Sequence, residues 1–117
     1  MNFEQEMLAL VERCPGSKGA AIIDPDGIPV VLTPQNSSLE ALGTEFAAIV
    51  AGVDRTARDF DHGELQQVSV YAENSAVIIT SLAAGYFLVL VLDRTALVGK
   101  GRLLSRLTGS RLYSEFI

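Results

Sequence analysis

A chain of 117 residues that is 49% hydrophobic can bury one core and is too apolar to be disordered, so we expect one domain over residues 1–117. Its formal net charge of −5 argues against nucleic acid or an anionic membrane as a partner. A single cysteine and a single histidine exclude an internal disulfide and a Cys/His zinc site.

The chain starts with a short amphipathic helix, because apolar residues recur at helical spacing from Phe3 to Val11. Asn2 can cap its start, and Pro15-Gly16 ends it. The acidic residues before Met7 are unlike the basic start of a signal peptide, which predicts a cytoplasmic protein with no segment inserted in a membrane.

Two strands follow, at 19–23 and 28–32. Between them lies Asp24-Pro25-Asp26-Gly27, a strong turn sequence that we prefer to a calcium site because no further ligands follow at the required spacing. Pro29 has no backbone N–H to donate to a neighbouring strand. The second strand is therefore predicted to lie at a sheet edge.

A long helix is predicted from Ser37, its N-cap, to about Phe60. One stripe of this helix, expected to face the sheet, consists of large apolar residues: Leu42, Phe46, Ile49, Val53 and Phe60. A second band consists of small apolar residues: Gly43, Ala47, Val50 and Ala51. Since one sheet needs only one apolar face, the small band predicts contact with the same helix of a second copy.

Three further strands are predicted after the long helix. The strand at 67–72 alternates, with Val68 and Val70 on one face and polar residues on the other, which is typical of a strand near an edge. The runs 76–82 and 86–93 are apolar on both faces, so they predict a central hairpin joined by Ala83-Ala84-Gly85.

A last helix is predicted from about Thr95, weakened by glycines and broken near Thr108-Gly109-Ser110. The segment Val98-Gly99-Lys100-Gly101-Arg102 is partly similar to a phosphate-binding loop. It lacks the first Gly and the Ser or Thr of the Walker pattern, so we interpret it as a helix start.

In this order of elements the chain resembles the roadblock family of dynein-light-chain-like domains, which includes bacterial MglB-type proteins. The resemblance is carried by Ile23-Asp24-Pro25-Asp26-Gly27-Ile28-Pro29-Val30, by the segment 85–93, and by Gly99 early in the last helix. It implies an α/β (α+β) fold of order α-β-β-α-β-β-β-α with profilin-like architecture. One five-stranded antiparallel sheet would have the long helix on one face and the two terminal helices on the other.

The same resemblance implies a function. Family members typically dimerise and bind small Ras-like GTPases, so we expect a non-catalytic homodimeric regulator or scaffold that modulates the nucleotide cycle of an MglA-like GTPase. A structural tether and a small-molecule sensor remain open as alternatives. No nucleophile, base and orienting group occur together in a motif, so no intrinsic enzyme activity, metal or cofactor is predicted.

Two sets of site residues follow from these hypotheses. The predicted dimer interface comprises Gly43, Ala47, Val50, Ala51, Asp54, Val68 and Val70. The charged candidates for binding the partner are Glu45, Arg55, Arg58 and Asp59. An exposed arginine there could act as an arginine finger, but pairing of Arg58 with Asp54 one turn away is the favoured interpretation.

Overall fold

The computed structural model describes residues 2–116 and has the predicted order of elements. These are α1 (Phe3–Arg13), β1 (Ser17–Ile23), β2 (Pro29–Thr33), α2 (Ser37–Asp59), β3 (Gln67–Tyr71), β4 (Ser75–Ser81), β5 (Phe87–Asp93) and α3 (Val98–Leu112). Short 3₁₀ segments lie at Ala83–Gly85 and Tyr113–Phe116.

The five strands form one antiparallel sheet in the order β2-β1-β5-β4-β3. The apolar strand β5 lies in the middle, where Val89 pairs with Ala21 of β1 and Ile79 of β4. Both edge strands are those predicted from sequence, β2 and β3. The strand β5 lies in the middle because a strand without polar residues on either face is stable only where both of its faces are covered.

Alternate residues of the strands enter two separate cores. On one face, α1 and α3 cover Ile22, Leu88 and Leu90. On the other, α2 covers Ile23 and Val89. The predicted layers, with the long helix on one side and the terminal helices on the other, are confirmed.

The starts of two helices differ from prediction. Asn36 rather than Ser37 caps α2, because its side-chain oxygen accepts a hydrogen bond from Leu39 N at 2.6 Å. Asp93 caps a preceding turn through the N–H of Thr95 at 2.8 Å, so α3 begins only at Val98.

The predicted break near Thr108-Gly109-Ser110 is wrong, since α3 continues to Leu112. Gly101 explains why this glycine-rich helix is stable in the fold. A Cβ there would lie 2.9 Å from Ile78 Cδ1, so the absence of a side chain lets α3 approach the sheet closely. Burial against β4 and β5 outweighs the low helix propensity.

Candidate interaction surface

The buried side of α2 consists of Leu39 at its start and then of the small residues Gly43, Ala47 and Val50, not of the predicted large stripe. Ala47 is 4% exposed and Val50 1% exposed, and both pack on β-strand residues of the same chain. A Cβ on Gly43 would lie 3.1 Å from Cδ1 of Ile23. The prediction that Gly43, Ala47 and Val50 face a second copy is therefore wrong.

Side-chain volume explains this reversal. The sheet face under α2 already carries branched side chains such as Ile23, Ile79 and Val89. A close-packed interior has little room for further large groups, so the helix presents small residues to the sheet. From Ile49 onward the large apolar residues are displaced to the flank of the helix.

The flank of α2 carries exposed apolar residues. Ile49 is 60% exposed, Val53 41% and Phe60 74%, whereas the sequence predicted that all three face the sheet. Leu42 and Phe46, nearer the start of the helix, are half-buried against the core. We call the surface formed by Ile49, Val53, Ala57 and Phe60 the apolar flank.

The opposite flank of α2 contacts the β1–β2 turn. Thr44 donates its hydroxyl proton to the carbonyl of Gly27 at 2.7 Å. Thr44 and Phe46 are two positions apart, roughly 200° around a helix. The apolar flank, which continues the line of Phe46, therefore points away from the turn. Ala51 is exposed and lies on the Thr44 side by the same spacing.

The apolar flank forms one wall of a shallow groove of about 690 Å³, lined by Ile49, Gly52, Val53, Thr56, Ala57, Phe60 and His62. On the same face of the sheet, Val68 and Val70 of β3 are only half-buried. Because β3 is an edge strand, one of its sides has no neighbour within residues 2–116. An apolar helix flank and an unpaired strand edge therefore occur on one side of the domain.

Asp54 is engaged within its own chain. Its carboxylate accepts a hydrogen bond from Leu65 N at 2.9 Å and one from Arg58 Nε at 3.0 Å. Burial alone would raise the pKa of this carboxyl, but the Leu65 N–H and the Arg58 guanidinium outweigh it and lower the pKa below 3.8. Asp54 therefore joins α2 to the segment that enters β3.

The charged candidates on α2 do not form one cluster. Arg58 is held by Asp54 and lies 3.6 Å from Glu64, which agrees with the predicted pairing along the helix. Glu45, Arg55 and Asp59 are all exposed. Glu45 and Asp59 are separated by 14 positions, which is about 21 Å along a helix axis.

The Asp24-Pro25-Asp26-Gly27 sequence, weighed above against a calcium site, forms a turn. Asp24 Oδ1 accepts hydrogen bonds from the N–H groups of Asp26 and Ile28, both at 2.9 Å, and so shapes the turn. Cys14 is buried at the end of α1. Within residues 2–116, no three His, Cys, Asp or Glu side chains gather in a way that could hold a metal ion.

A polar concavity of about 330 Å³ lies where α3 ends beside the start of β3. It is lined by Glu64, Leu65, Gln66, Thr80, Ser81, Leu82, Arg106, Gly109, Ser110 and Tyr113. Among the described residues, the buried polar side chains are Thr80, Ser105 and Thr108. The two cores themselves are apolar.

Solved structures share this fold over nearly the whole chain. A Roadblock/LC7 domain from Streptomyces avermitilis matches with a TM-score of 0.85 at 19% identity, covering 98% of each chain. MglC from Myxococcus xanthus matches with a TM-score of 0.70 at 26% identity, covering 98% of this chain and 99% of its own. The gliding protein MglB from Thermus thermophilus matches with a TM-score of 0.77 at 23% identity, covering 96% of this chain and 91% of its own.

A comparison with curated protein sequences gives no significant match. The family model of the Roadblock/LC7 domain matches residues 3–92, from the start of α1 to the end of the central strand. By that match, which spans more than half of its length, the chain belongs to the Roadblock/LC7 domain family.

Proposed function

We propose that two copies of this chain pair through the apolar flank of α2 and the free edge of β3. We further propose that the dimer is a non-catalytic regulator that binds a small Ras-like GTPase and modulates its nucleotide cycle. The observations that carry the proposal are the exposed apolar flank of α2 and the half-buried Val68 and Val70 of the edge strand β3, which pack against the same core.

Burial of the apolar flank against a second copy is energetically favourable. Ile49, Val53 and Phe60 together expose more apolar surface than scattered single residues usually do. Full burial of a side chain of this size is worth about 1.5–3 kcal/mol. A second copy provides the same flank in return, since a two-fold axis brings identical surfaces together.

The edge of β3 fixes how the two copies are related. Antiparallel pairing of β3 with its twin requires a two-fold axis perpendicular to the sheet. The two sheets then continue into one of ten strands, and both α2 helices lie side by side on one face. This arrangement also removes an unpaired edge, which is otherwise a site of aggregation.

The GTPase is proposed from the family to which the chain belongs and from its likeness to MglB and MglC. The charged residues Glu45, Arg55 and Asp59 are exposed on the same helix as the apolar flank. Such residues at the rim of an interface mainly set the association rate and the choice of partner. Arg58 is a poor arginine finger because Asp54 and Glu64 already hold its guanidinium.

The dimer is tested by light scattering of the purified chain and two variants. We expect a dimer for the unchanged chain and a folded monomer for Val53→Glu, because the carboxylate would be buried against its twin. Ala51→Glu introduces the same glutamate two residues away, on the opposite flank of α2, and is expected to leave the dimer intact. A monomeric parent chain, or loss of the dimer only in Ala51→Glu, contradicts the proposed flank.

The GTPase is tested with purified Ras-like GTPases from the source genome, each loaded with GDP or with a GTP analogue. We expect one of them to bind in a manner that depends on its nucleotide, with altered GTP hydrolysis or nucleotide release. If none binds while the dimer is stable, the regulator hypothesis is wrong. A purely structural tether is then favoured. A metabolite that raises the melting temperature through the polar concavity would instead favour a sensor.

A further inference from the structure

Charge is distributed unevenly along this acidic chain. Residues 94–112 contain five of the nine Lys and Arg residues and none of the 14 Asp and Glu residues. The remaining residues carry four positive and 14 negative side chains, a net charge of −10. The total of −5 therefore conceals a basic segment, and the expectation drawn from that total does not apply to α3.

The basic side chains lie on the surface of α3. Lys100, Arg102, Arg106 and Arg111 are all exposed. Arg111 donates to Glu6 of α1 at 3.1 Å, and Arg102 donates to the hydroxyl of Tyr71 at 3.1 Å. Within residues 2–116, neither Lys100 nor Arg106 has a carboxylate partner.

Exposed leucines lie between these charges. Leu103 is 46% exposed and Leu107 48%, and they are one helical turn apart on the outer side of α3. The inner side of the helix is already occupied, since Gly101, Ser105 and Leu112 are buried against the sheet. Leu103 and Leu107 are therefore not part of either core.

The neighbouring helix α1 extends the basic surface along its seam with α3. Arg13 and Leu107 line the same small crevice between the two helices. Glu6 is on this side of α1 but is neutralised by Arg111. Glu4, Leu8 and Glu12 are exposed and follow one another at four-residue spacing on α1.

We propose that the outer face of α3 adsorbs to an anionic lipid bilayer. Lys100 and Arg106 contact the headgroups, and Leu103 and Leu107 lie at the boundary between headgroups and acyl chains. Leucines and cations that alternate on a helix lying parallel to the surface are the features of interfacial binding. None of the helices in residues 2–116 is long and apolar enough to cross a membrane, so the contact is peripheral.

The chemistry of the surface favours a bilayer over other anionic partners. Leu103 and Leu107 are exposed between cations on the outer side of α3, which matches a surface of anionic headgroups above acyl chains. Nucleic acid offers phosphates but gives exposed leucines no apolar contact. The inference goes beyond the proposed GTPase regulator and does not depend on it, because α2 and α3 cover opposite faces of the sheet.

The test is co-sedimentation with vesicles of phosphatidylcholine, with or without phosphatidylglycerol, at low and at physiological salt. We expect binding only to the anionic vesicles, weakening as salt is added. The double variant Lys100→Gln, Arg106→Gln should bind at least about tenfold more weakly, since each cation near such a surface contributes roughly fivefold. The double variant Leu103→Ser, Leu107→Ser should also bind more weakly, but its salt dependence should stay like that of the parent chain because the cations are retained.

A matched control separates the effect of losing cations from the face of α3 from the effect of a change in net charge. Gln35→Glu with Ser38→Glu changes the net charge by the same −2 at exposed positions near the start of α2, and it should bind like the parent chain. Circular dichroism confirms that each variant is folded. The proposal is overturned if the parent chain does not bind anionic vesicles at low salt, binds neutral vesicles equally, or loses binding equally in the control.

Two further measurements distinguish a bilayer from other anions. If inorganic phosphate at millimolar concentration abolishes vesicle binding, the face holds a free anion and the lipid assignment is wrong. If soluble polyglutamate binds and vesicles do not, the partner is an acidic protein. Continued vesicle binding in the presence of both competitors supports the bilayer.

Discussion

The carboxylate of Asp54 and the backbone N–H of Leu65 are joined by a hydrogen bond of 2.9 Å. It connects the last part of α2 to the segment that enters β3, across 11 positions of sequence. Both elements contribute to the proposed dimer surface. The bond therefore fixes the position of the apolar flank relative to the free strand edge.

Removing the Asp54 carboxylate should loosen this connection. Asp54→Ala leaves the Leu65 N–H, which is partly buried, without its partner and should lower the free energy of unfolding by about 1–3 kcal/mol. Arg58→Ala removes only the exposed end of the pair and should cost less than about 1 kcal/mol. Urea unfolding of both variants checks the order, and an equal loss in both would contradict the role given to Leu65.

The lowered pKa of Asp54 predicts how stability depends on pH. Because its pKa is depressed in the folded chain below the ordinary value of 3.8, the carboxylate stabilises the fold at pH values above 3.8. That contribution is lost as the pH falls through the folded pKa. The difference in unfolding free energy between the parent chain and Asp54→Asn should be constant near neutral pH and should shrink below pH 3.8. A difference that does not change with pH would show that the charge is unimportant.

The corrected orientation of α2 is tested by one substitution made at two positions. Ala47→Glu places a carboxylate in the core and should destabilise the fold by several kcal/mol. Ala51→Glu is one helical turn away on the exposed surface and should change stability by less than about 0.5 kcal/mol. Thermal melts in the same buffer compare the two. If Ala51→Glu were the more damaging variant, α2 would have to be rotated from the orientation described.

Ser105 offers a stabilising substitution. Its hydroxyl is buried and has no hydrogen-bond partner among residues 2–116. A buried polar group without a partner costs about 1–3 kcal/mol, so Ser105→Ala should raise the melting temperature. A lower melting temperature would show that the hydroxyl has a partner that Ala cannot replace. Ser110→Ala, at an exposed position of the same helix, is the control and should have little effect.

Two glycines of α3 should respond differently to alanine. Gly99 is open, with Arg102 Nη2 at 3.9 Å as the nearest atom to an added Cβ, so Gly99→Ala should stabilise the helix by about 0.5 kcal/mol. Gly101→Ala would bring a methyl group to 2.9 Å from Ile78 Cδ1 and should destabilise the fold by about 1–3 kcal/mol. Chemical denaturation measures both changes. A stabilising Gly101→Ala would show that α3 can move away from the sheet at no cost.

The sequence by itself determined the element order, the two edge strands and the central place of β5. Each of these depends on a one-dimensional pattern. A run that is apolar at every position, such as Leu88 to Leu92, needs cover on both faces, and Pro29 cannot donate to a neighbouring strand. These two rules depend on residues that are adjacent in sequence, so they could be applied before the fold was known.

Only the tertiary structure decided which apolar side of α2 faces the sheet. The sequence shows two bands, one large and one small, and hydrophobicity alone favours burial of the large one. The choice depends on the volume left by residues far away in sequence, such as Ile23 against Gly43. For the same reason Asp54 could not be assigned from the sequence, because its partner Leu65 becomes a neighbour only when β3 joins the sheet. The charge segregation in α3 was present in the sequence. That its basic side chains point away from the sheet became clear only when Gly101 and Ser105 were found on the buried side of that helix.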